Sequence, residues 1–365
     1  MKCNLFLTAL LLVGVLLVSC GQAETPAPAG PSTQPTTVPA RQTLTVMTHD
    51  SFDASQEVID AFQAACNCDV RFLKSGDAGL MLNQALLSKD HPLADVIYGV
   101  DNTFLSRALK GGILDPYQSP ALAGVPDGLK LDASFRLLPV DYGDVCLNYD
   151  RAWFEEHNLN PPGDIPDLIE PQYKGLAVVE NPATSSPGLA FLLATIWRYG
   201  EIGEYNYRNF WADLRANDVL VADGWNEAYY GNFTYASEGD RPIVVSYASS
   251  PPVEVLFSEK AFDQAPTAAV VAAGACFRQI EFVGILTGTQ NRALAEQWID
   301  FMLGTAFQED IPLKMFMFPA NSQARLPDVF QRFAQIPQQP VTLPPDDIEA
   351  HREEWIQAWT ETVLR

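Results

Sequence analysis

The feature that most constrains this chain is an alternation of short β-prone runs with amphipathic helical patterns, repeated along most of its length. Asp53 is expected to cap the first helix, in which Phe62 and Ala65 fall on one face. Such alternation is typical of a mainly parallel sheet with helices on its faces, so the sequence predicts an α/β fold. In the first part of the chain the predicted strands are 44–47, 69–73 and 95–100, and the predicted helices follow residue 53 and span 79–86 and 102–109.

A second alternation begins near residue 176 and runs to about residue 276. Two extended runs, 137–140 and 145–149, precede it, and the run at 277–286 is interpreted as a crossing back. Asp346 and Glu349 have the spacing of a capping box at the start of the last helix. The predicted strands here are 176–180, 219–222, 243–247 and 268–271, and the predicted helices are 188–199, 207–215, 226–235, 292–302 and 346–363.

Two α/β units joined by two extended crossings predict a two-lobed protein whose hinged cleft closes on a small ligand. The length of 365 residues suits two lobes of about 100–200 residues each. We expect residues 43–138 to form the first part of lobe 1 and residues 139–278 to form lobe 2. Residues 279–365 are expected to return to lobe 1 and to add the C-terminal helices.

The N-terminus has the pattern of an export signal. Lys2 precedes an apolar run at 5–18, which is short for a membrane span and ends in Leu17-Val18-Ser19-Cys20, a string that resembles a bacterial lipobox. We expect residues 1–19 to be a signal peptide and Cys20 to carry the lipid; the alternative is an ordinary cleaved signal with a chance cysteine. Residues 20–42, rich in Pro, Thr and Ala, are expected to form a disordered tether. The predicted location is extracytoplasmic, held to the membrane by the lipid anchor only.

Charge restricts the class of partner. Against 45 Asp and Glu stand 23 Lys and Arg, a net charge of −22 that repels nucleic acid and anionic lipid and favours a cationic ligand. Four cysteines remain after Cys3 and Cys20, and they allow three pairings. We expect Cys146 and Cys276, each in a strand-like run, to form a disulfide. Cys66 and Cys68 then form a tight ring or stay reduced, since their spacing lacks the pattern of a zinc site.

Polar residues that follow predicted strands are the first candidates for a ligand site. Asp50 either pairs with a cation or turns back on its own backbone, and Asp101 is expected to cap the following helix. Ser185 and Ser186 start a helix, where they form either an anion site or an ordinary serine cap.

Aromatic residues lie at comparable positions in the second half of the chain. Trp225 follows one strand and Tyr247 ends another, so each ring is placed to stack on a heteroaromatic cation or to pack in a lobe core.

Several strings, taken in order, resemble those of the thiamine-binding proteins of bacterial ABC uptake systems, and the resemblance covers nearly all of residues 43–365. It implies a periplasmic-binding-protein-like type II fold with two α/β lobes. The strings are Thr48-His49-Asp50-Ser51-Phe52, Cys66-Asn67-Cys68, Asp77 with Leu82-Asn83, Ala94-Asp95-Val96, Gly99-Val100-Asp101-Asn102, Asp141-Tyr142-Gly143, Thr184-Ser185-Ser186-Pro187-Gly188-Leu189, Gly224-Trp225-Asn226-Glu227-Ala228-Tyr229, Ser246-Tyr247-Ala248-Ser249-Ser250-Pro251, and Trp355 with Trp359.

The resemblance implies that Trp225 and Tyr247 enclose the thiamine rings. The end that receives the hydroxyethyl or phosphate group is implied to be lined by Asp77, Ala78, Ser185, Ser186, Ser249 and Ser250, with Ala248 beside them and His49, Asp50, Asp101 and Tyr142 as further candidates. His49 stands where some relatives have Tyr, and Ala78 where some have Gly. The implied partners are thiamine or its phosphates and a membrane permease; a monomer with no cofactor, metal or catalytic residue is expected.

Two alternatives remain open at this point. Related ferric-ion receptors share the expected fold and hold iron with paired tyrosines, for which Tyr229 and Tyr230 with His49 would serve. A thiamine-degrading enzyme of similar fold attacks with a cysteine, for which Cys146 would serve.

Overall fold

Two long strands lie at the centre of one sheet in the computed structural model, which describes residues 41–258 and 260–365. The predicted signal sequence, Cys20 and most of the predicted tether lie outside these residues. The predicted boundary of the tether at residue 42 is wrong by one residue, because Gln42 is already the first residue of a strand paired with Cys68. The strands are β1 (Gln42–Thr48), β2 (Cys68–Lys74), β3 (Val96–Asp101), β4 (Leu114–Asp115), β5 (Leu138–Asp150), β6 (Ala177–Glu180), β7 (Leu220–Ala222), β8 (Ile243–Tyr247), β9 (Thr267–Ala269), β10 (Phe277–Leu286) and β11 (Phe318–Pro319).

The strand order is β2-β1-β3-β10-β5-β8-β6-β7. On one side β1 pairs with β2 and β3 in parallel, and on the other β6 pairs with β7 and β8 in parallel. The central strands β5 and β10 are antiparallel to each other and to their outer neighbours. Each flank is therefore a parallel α/β unit, and the chain crosses between them in β5 and β10.

Helices cover both flanks of the sheet. Short 3₁₀ turns at Pro120–Gly124, Asp127–Leu129, Ile165–Ile169 and Pro171–Tyr173 join some of the elements. The helices are α1 (Gln56–Cys66), α2 (Ala78–Leu87), α3 (Leu105–Lys110), α4 (Arg151–Glu156), α5 (Ser186–Tyr199), α6 (Tyr207–Ala216), α7 (Trp225–Glu227), α8 (Pro251–Leu256), α9 (Arg292–Met302), α10 (Thr305–Gln308), α11 (Ile311–Lys314), α12 (Asp328–Phe333) and α13 (Pro345–Val363).

The prediction of an α/β fold is confirmed. Two predicted elements differ in the structure: the pair of strands at 137–140 and 145–149, and the helix at 226–235. Strand β5 runs unbroken through the residues predicted to separate two strands, because Gly143 lets the backbone pass Met317 and Tyr247, whose atoms lie 2.9 Å from where a Cβ would be. The predicted helix at 226–235 is instead the single turn α7 followed by a π-helical turn at Ala228–Asn232.

Three predicted helix caps are wrong. Ser55, not Asp53, precedes α1, and Pro344 precedes α13, where Pro345 has the fixed φ that suits a first helical position. The cap of α3 is Phe104, since Asp101 lies four residues before the helix begins and accepts hydrogen bonds from Thr103 instead. The other two carboxylates bond to distant residues instead, Asp53 to Lys314 and Asp346 to the Ser106 hydroxyl.

Aromatic side chains fill the core around this sheet. Trp211 of α6 meets Trp359 of α13 edge to face at 5.6 Å between ring centroids, and both rings are fully buried. None of the helices within the described ranges combines the length and apolar character needed to cross a bilayer.

Two disulfides are present in the part of the chain that the structure describes. Cys146 of β5 is bonded to Cys276, just before β10, and Cys66 is bonded to Cys68 across the turn between α1 and β2. The first disulfide therefore ties together the two crossing segments.

Candidate functional site

A cavity of about 290 Å³ lies where the carboxyl ends of the parallel strands from both flanks meet. The residues that follow β1, β2, β7 and β8 reach it, as expected for a site at the carboxyl edges of α/β units. Its volume is at the lower end of the range of about 300–1,000 Å³ typical of small-molecule sites. It is lined by His49, Ser51, Asp53, Asp77, Ala78, Ser186, Pro187, Trp225, Asn226, Tyr230, Tyr247, Ser250, Phe257, Gln279, Glu281, Lys314, Met315, Phe316 and Met317.

An aromatic stack forms one wall. The Trp225 ring lies on Tyr229 at 4.9 Å with an interplanar angle of 21°, and its Nε1 donates to Ser246 Oγ at 2.9 Å. Tyr230 meets the same indole edge to face at 5.4 Å. Tyr229 and the serine fix one face and the edge of the indole, so the half-buried Trp225 presents its remaining surface to the cavity.

A second group of contacts at the cavity centres on Gln279 of β10. The Tyr247 hydroxyl donates to Gln279 Oε1 at 3.1 Å, and Gln279 Nε2 donates to Ser186 Oγ at 3.0 Å. One amide therefore links the last residue of β8 to the start of α5. This arrangement holds the Tyr247 ring against the cavity from the central strand.

Two helix starts meet at the Asp77 carboxylate. Asp77 Oδ1 accepts from the backbone nitrogen of Ala78 in α2 at 2.7 Å and from that of Ser186 in α5 at 3.3 Å. Ser185 caps α5, with its Oγ accepting from the Gly188 nitrogen at 3.4 Å. The serine-cap interpretation of this segment thus describes its local bonding, and Asp77 joins the two flanks of the sheet at the cavity.

A buried network of acids lies beneath the cavity. His49 Nε2 lies 3.6 Å from Glu281 Oε1, and the Tyr98 hydroxyl donates to Glu281 Oε2 at 3.0 Å and to Asp141. Burial lowers the pKa of His49, but the charges of Glu281, Asp77 and Asp50 outweigh it and raise that pKa overall.

The pKa values of the two carboxyls of this network are shifted in opposite directions. Burial disfavours the charged form of Glu281, yet His49 and the hydrogen bonds hold its pKa below its ordinary value. Burial and the charge of Glu281 raise the pKa of Asp141 well above its usual range. Glu281 is therefore the carboxyl that loses its proton more readily, and the His49 imidazole lies beside it.

Further carboxyls surround this floor. Burial raises the pKa of Asp77 despite the opposing effects of the Ala78 hydrogen bond and the His49 charge. Burial, with the charge of Asp77, raises the pKa of Glu180 well above its usual range, and among the described residues its side-chain oxygens have no hydrogen-bond partner. The carboxyl groups of Glu281, Asp141, Asp77 and Glu180 therefore form an acidic floor of the cavity, with His49 as their basic partner.

The rim consists of residues that sequence reasoning missed. Lys314 Nζ pairs with Asp53 Oδ2 at 3.2 Å, and Phe257, 71% exposed, meets Phe316 edge to face at 6.0 Å. These residues come from segments distant in the sequence, so no local pattern marks them.

Gln279 and Glu281 were also missed, although they carry a signal. They are polar, two residues apart in an apolar run, and so share one face of β10.

The structure brings seven of the predicted site residues to the cavity wall and leaves six elsewhere. Those at the wall are His49, Asp77, Ala78, Ser186, Trp225, Tyr247 and Ser250. Ser185, Ala248, Ser249 and Asp101 are buried behind it. Asp50 accepts from the Gly76 nitrogen at 2.8 Å, and Tyr142 lies under the Arg278 guanidinium at 5.0 Å.

The residues that the ferric-ion receptor and the thiamine-degrading enzyme would require make other contacts in this structure. Tyr229 is buried and donates to Glu254 at 2.6 Å, while Tyr230 is half-exposed at the cavity. In the part of the chain that the structure covers, no three His, Cys, Asp or Glu side chains form a metal-binding group. Cys146 is fully buried in its disulfide, so its sulfur has no free thiolate for nucleophilic attack.

Two parallel α/β flanks, two crossing strands and a cavity at their shared carboxyl edges define the class of two-lobed ligand-binding proteins with the type II periplasmic fold. The model of the family of bacterial extracellular solute-binding proteins matches residues 91–335. The chain belongs to this family.

Relatives in the family are similar over most of their length. The thiamine-binding periplasmic protein of Salmonella typhimurium is 32% identical over 336 residues, which cover 89% of this chain and 95% of the relative. That of Brucella suis is 30% identical over 336 residues, covering 89% and 93%.

Solved structures agree on the fold. A periplasmic thiamin-binding protein has a TM-score of 0.79 at 30% identity, covering 89% of this chain and 97% of that one. A ferric binding protein from Campylobacter jejuni has a TM-score of 0.69 at 16% identity, covering 87% and 99%, and shows the fold alone. The predicted fold and family are confirmed, and members of such a family bind solutes outside the cytoplasm.

Proposed function

We propose that this chain captures thiamine in the cavity between its two flanks. The observation that carries the proposal is the pairing of aromatic faces with an acidic floor: Trp225 and Tyr247 line the same cavity as Asp77 and Glu281. Relatives about 30% identical over most of the chain are named for thiamine binding, which supports the same ligand.

The chemistry of thiamine fits these groups. Its thiazolium is a flat, permanently charged ring, which aromatic faces attract through their quadrupole and carboxylates attract through charge. Its aminopyrimidine adds a second flat ring for stacking on the exposed side of Trp225. Exclusion of water from the cavity strengthens both interactions, since the effective dielectric constant falls.

The hydroxyethyl end is assigned to the meeting point of α2 and α5. A hydroxyl there can donate to Asp77, whose Oδ1 already accepts from the Ala78 and Ser186 nitrogens. A phosphate ester would instead compete with the Asp77 carboxylate for those two nitrogens. Ser250 and Ser186 supply further hydroxyls at the cavity wall.

The wider role follows from the predicted N-terminus. We propose that Cys20 is lipidated, that the residues between Cys20 and the start of β1 tether the folded part outside the cytoplasmic membrane, and that the loaded protein delivers thiamine to an ABC transporter permease. Within this proposal the predicted lobes at 43–138 with 279–365 and at 139–278 close on the ligand. The protein acts as a monomeric receptor and performs no chemistry on what it carries.

Native mass spectrometry of the protein, purified without refolding, tests the ligand. A bound species with the mass of thiamine or one of its phosphates is expected. Titration calorimetry of the stripped protein with thiamine should then give a single site, and ferric ion should give neither heat nor a visible charge-transfer band. Absence of thiamine binding, or a ferric band, would overturn the proposal.

A further inference from the structure

The two flanks of the sheet meet beside the cavity at a seam to which each flank contributes a glycine. Gly79 is the second residue of α2, which follows β2 in the first flank. Gly224 lies between β7 and α7 in the second flank. Asp77 of the first flank reaches across this seam, since its Oδ1 accepts from the Ser186 nitrogen of the second flank at 3.3 Å.

Gly224 has room for a side chain within its own flank. Its φ of −166° and ψ of 171° are extended backbone that any residue adopts, so its conformation does not require glycine. A Cβ at this position would lie 3.3 Å from Asp77 Oδ2, and among the described residues no other heavy atom beyond its chain neighbours lies within 4 Å. The neighbour that a side chain would meet therefore belongs to the opposite flank.

Gly79 makes the corresponding approach from the first flank. A Cβ at this position would lie 3.5 Å from the Thr184 carbonyl oxygen and 3.6 Å from that of Ala183, both in the turn before α5. On its own flank it would lie 3.2 Å from Phe104 Cζ. A methyl group would thus contact the opposite backbone at ordinary distance, whereas a longer side chain would have to displace it.

These approaches place the groups that face the ligand. The Asp77 bond to Ser186 and the contact of Ser51 Oγ with Asn226 Oδ1 at 3.4 Å both span the seam. They form only when the two flanks touch at the glycines. Closure of the seam also excludes water, which strengthens the attraction between carboxylates and a cationic ring.

We propose that Gly79 and Gly224 are positioning residues that permit the closed, ligand-holding form, and that a side chain at either position holds the cleft ajar. This inference rests on the proposed capture of thiamine. Neither glycine lines the cavity, so each acts through the approach of the flanks and not through the ligand. The open form receives the ligand and closure retains it, so the rate of release should respond most.

Wedge variants of the full-length protein test this role. Gly224→Leu and Gly79→Leu insert a side chain into the seam from opposite flanks, and each should bind thiamine about 5- to 150-fold more weakly, as expected for an overpacked contact. Gly224→Ala requires a shift of only a few tenths of an ångström and should stay within about threefold of the wild type. Stopped-flow tryptophan fluorescence gives both rates, because Trp225 lines the cavity.

Gly128→Leu is the matched control. It makes the same chemical change at a glycine whose Cβ would have no heavy atom of the described residues within 4 Å beyond its chain neighbours. Its affinity and release rate should equal those of the wild type. Melting temperatures of the unliganded variants should stay within a few degrees of the wild type, which separates a wedge from a folding defect.

The variant that carries both leucines distinguishes a shared cleft from local damage. If each wedge holds the same cleft open, the double variant should bind within about threefold of the weaker single variant. Small-angle X-ray scattering should show a smaller radius of gyration for the wild type with thiamine and no such contraction for either leucine variant. Losses of affinity that multiply in the double variant, or contraction equal to that of the wild type, would overturn the inference.

The result also separates this inference from the function beneath it. Wild-type affinity in both leucine variants would overturn the role of the seam and leave thiamine capture intact, whereas a wild type that binds no thiamine would overturn both. Should Gly79→Leu fail to fold because of Phe104, Gly224→Leu decides the question, since its Cβ meets only Asp77 across the seam.

Discussion

Replacement of Trp225 by alanine tests whether the binding face is placed correctly. The indole lies on Tyr229 on one side and lines the cavity with its remaining surface. If it stacks on the thiamine cation, Trp225→Ala removes a desolvated cation–aromatic contact and its apolar burial, together on the order of 2–4 kcal/mol. That corresponds to a loss of affinity of about 30- to 1,000-fold.

The effect on stability should be small by comparison. The substitution removes one stacked pair and one hydrogen bond to Ser246, each worth about 1 kcal/mol. At about 2–4 °C per kcal/mol for a chain of this size, the melting temperature of the unliganded protein should fall by only several degrees. Trp211, 1% exposed, offers a contrast, since Trp211→Ala should cost about 3–5 kcal/mol of folding stability.

Two measurements separate these effects: titration calorimetry with thiamine and thermal unfolding without it. Trp225→Phe is the matched control, because it keeps an aromatic face while losing the Nε1 donor and part of the ring area, so its affinity should stay within about tenfold of the wild type. A collapsed melting temperature in Trp225→Ala with near-normal affinity would refute the reasoning. Trp225 would then be a core residue, and the binding face would lie around Tyr247.

Three other predictions concern different parts of the molecule. Cys20→Ala should leave the protein unprocessed or released from the membrane; a wild-type N-terminus that starts elsewhere and carries no lipid contradicts this. Peptide mapping without reductant should recover Cys146 linked to Cys276, and finding both as free thiols would revive the enzyme alternative. Glu281→Gln removes the main charge that opposes the effect of burial on His49, so it should lower the pKa of His49. At acidic pH, where His49 is still protonated, its charge is then unbalanced in the cavity floor and should weaken thiamine binding on the order of tenfold. That loss should shrink as pH rises to neutral and His49 loses its proton; a loss that appears only at neutral pH would contradict it.

Local sequence patterns determined the elements of both flanks. The β-prone run at 243–247 is a strand with those bounds, and the helical pattern at 292–302 is α9, because period-2 and period-3.6 spacing reflect burial of one face. The ends of such strands also marked Trp225 and Tyr247 as candidate site residues, and the family resemblance marked Asp77. These positions follow from the rule that parallel strands present their carboxyl ends at one edge.

Patterns failed where distant segments decide the conformation. The sequence pattern predicted a break between two strands at Gly143. In the structure β5 continues through this residue, because a glycine has no Cβ to collide with Met317 and Tyr247. The helix predicted after Trp225 tightens into a π-helical turn at Ala228–Asn232, where Tyr229 is buried against Trp225. Packing across the sheet outweighs local propensity at such positions.

Composition, spacing and charge were enough to predict the α/β class, an export signal at the N-terminus and an acidic chain suited to a cationic ligand. Only the tertiary structure placed Gln279 and Glu281 at the cavity, with Asp101 behind them and Lys314 and Phe316 at the rim. These residues lie far apart along the chain and meet only because the crossing strand β10 returns between the two flanks. Polar residues such as Gln279 and Glu281 stand out in the apolar run of β10, but no local pattern shows which distant residues they will meet, whereas burial of one face of a helix or strand does leave such a pattern.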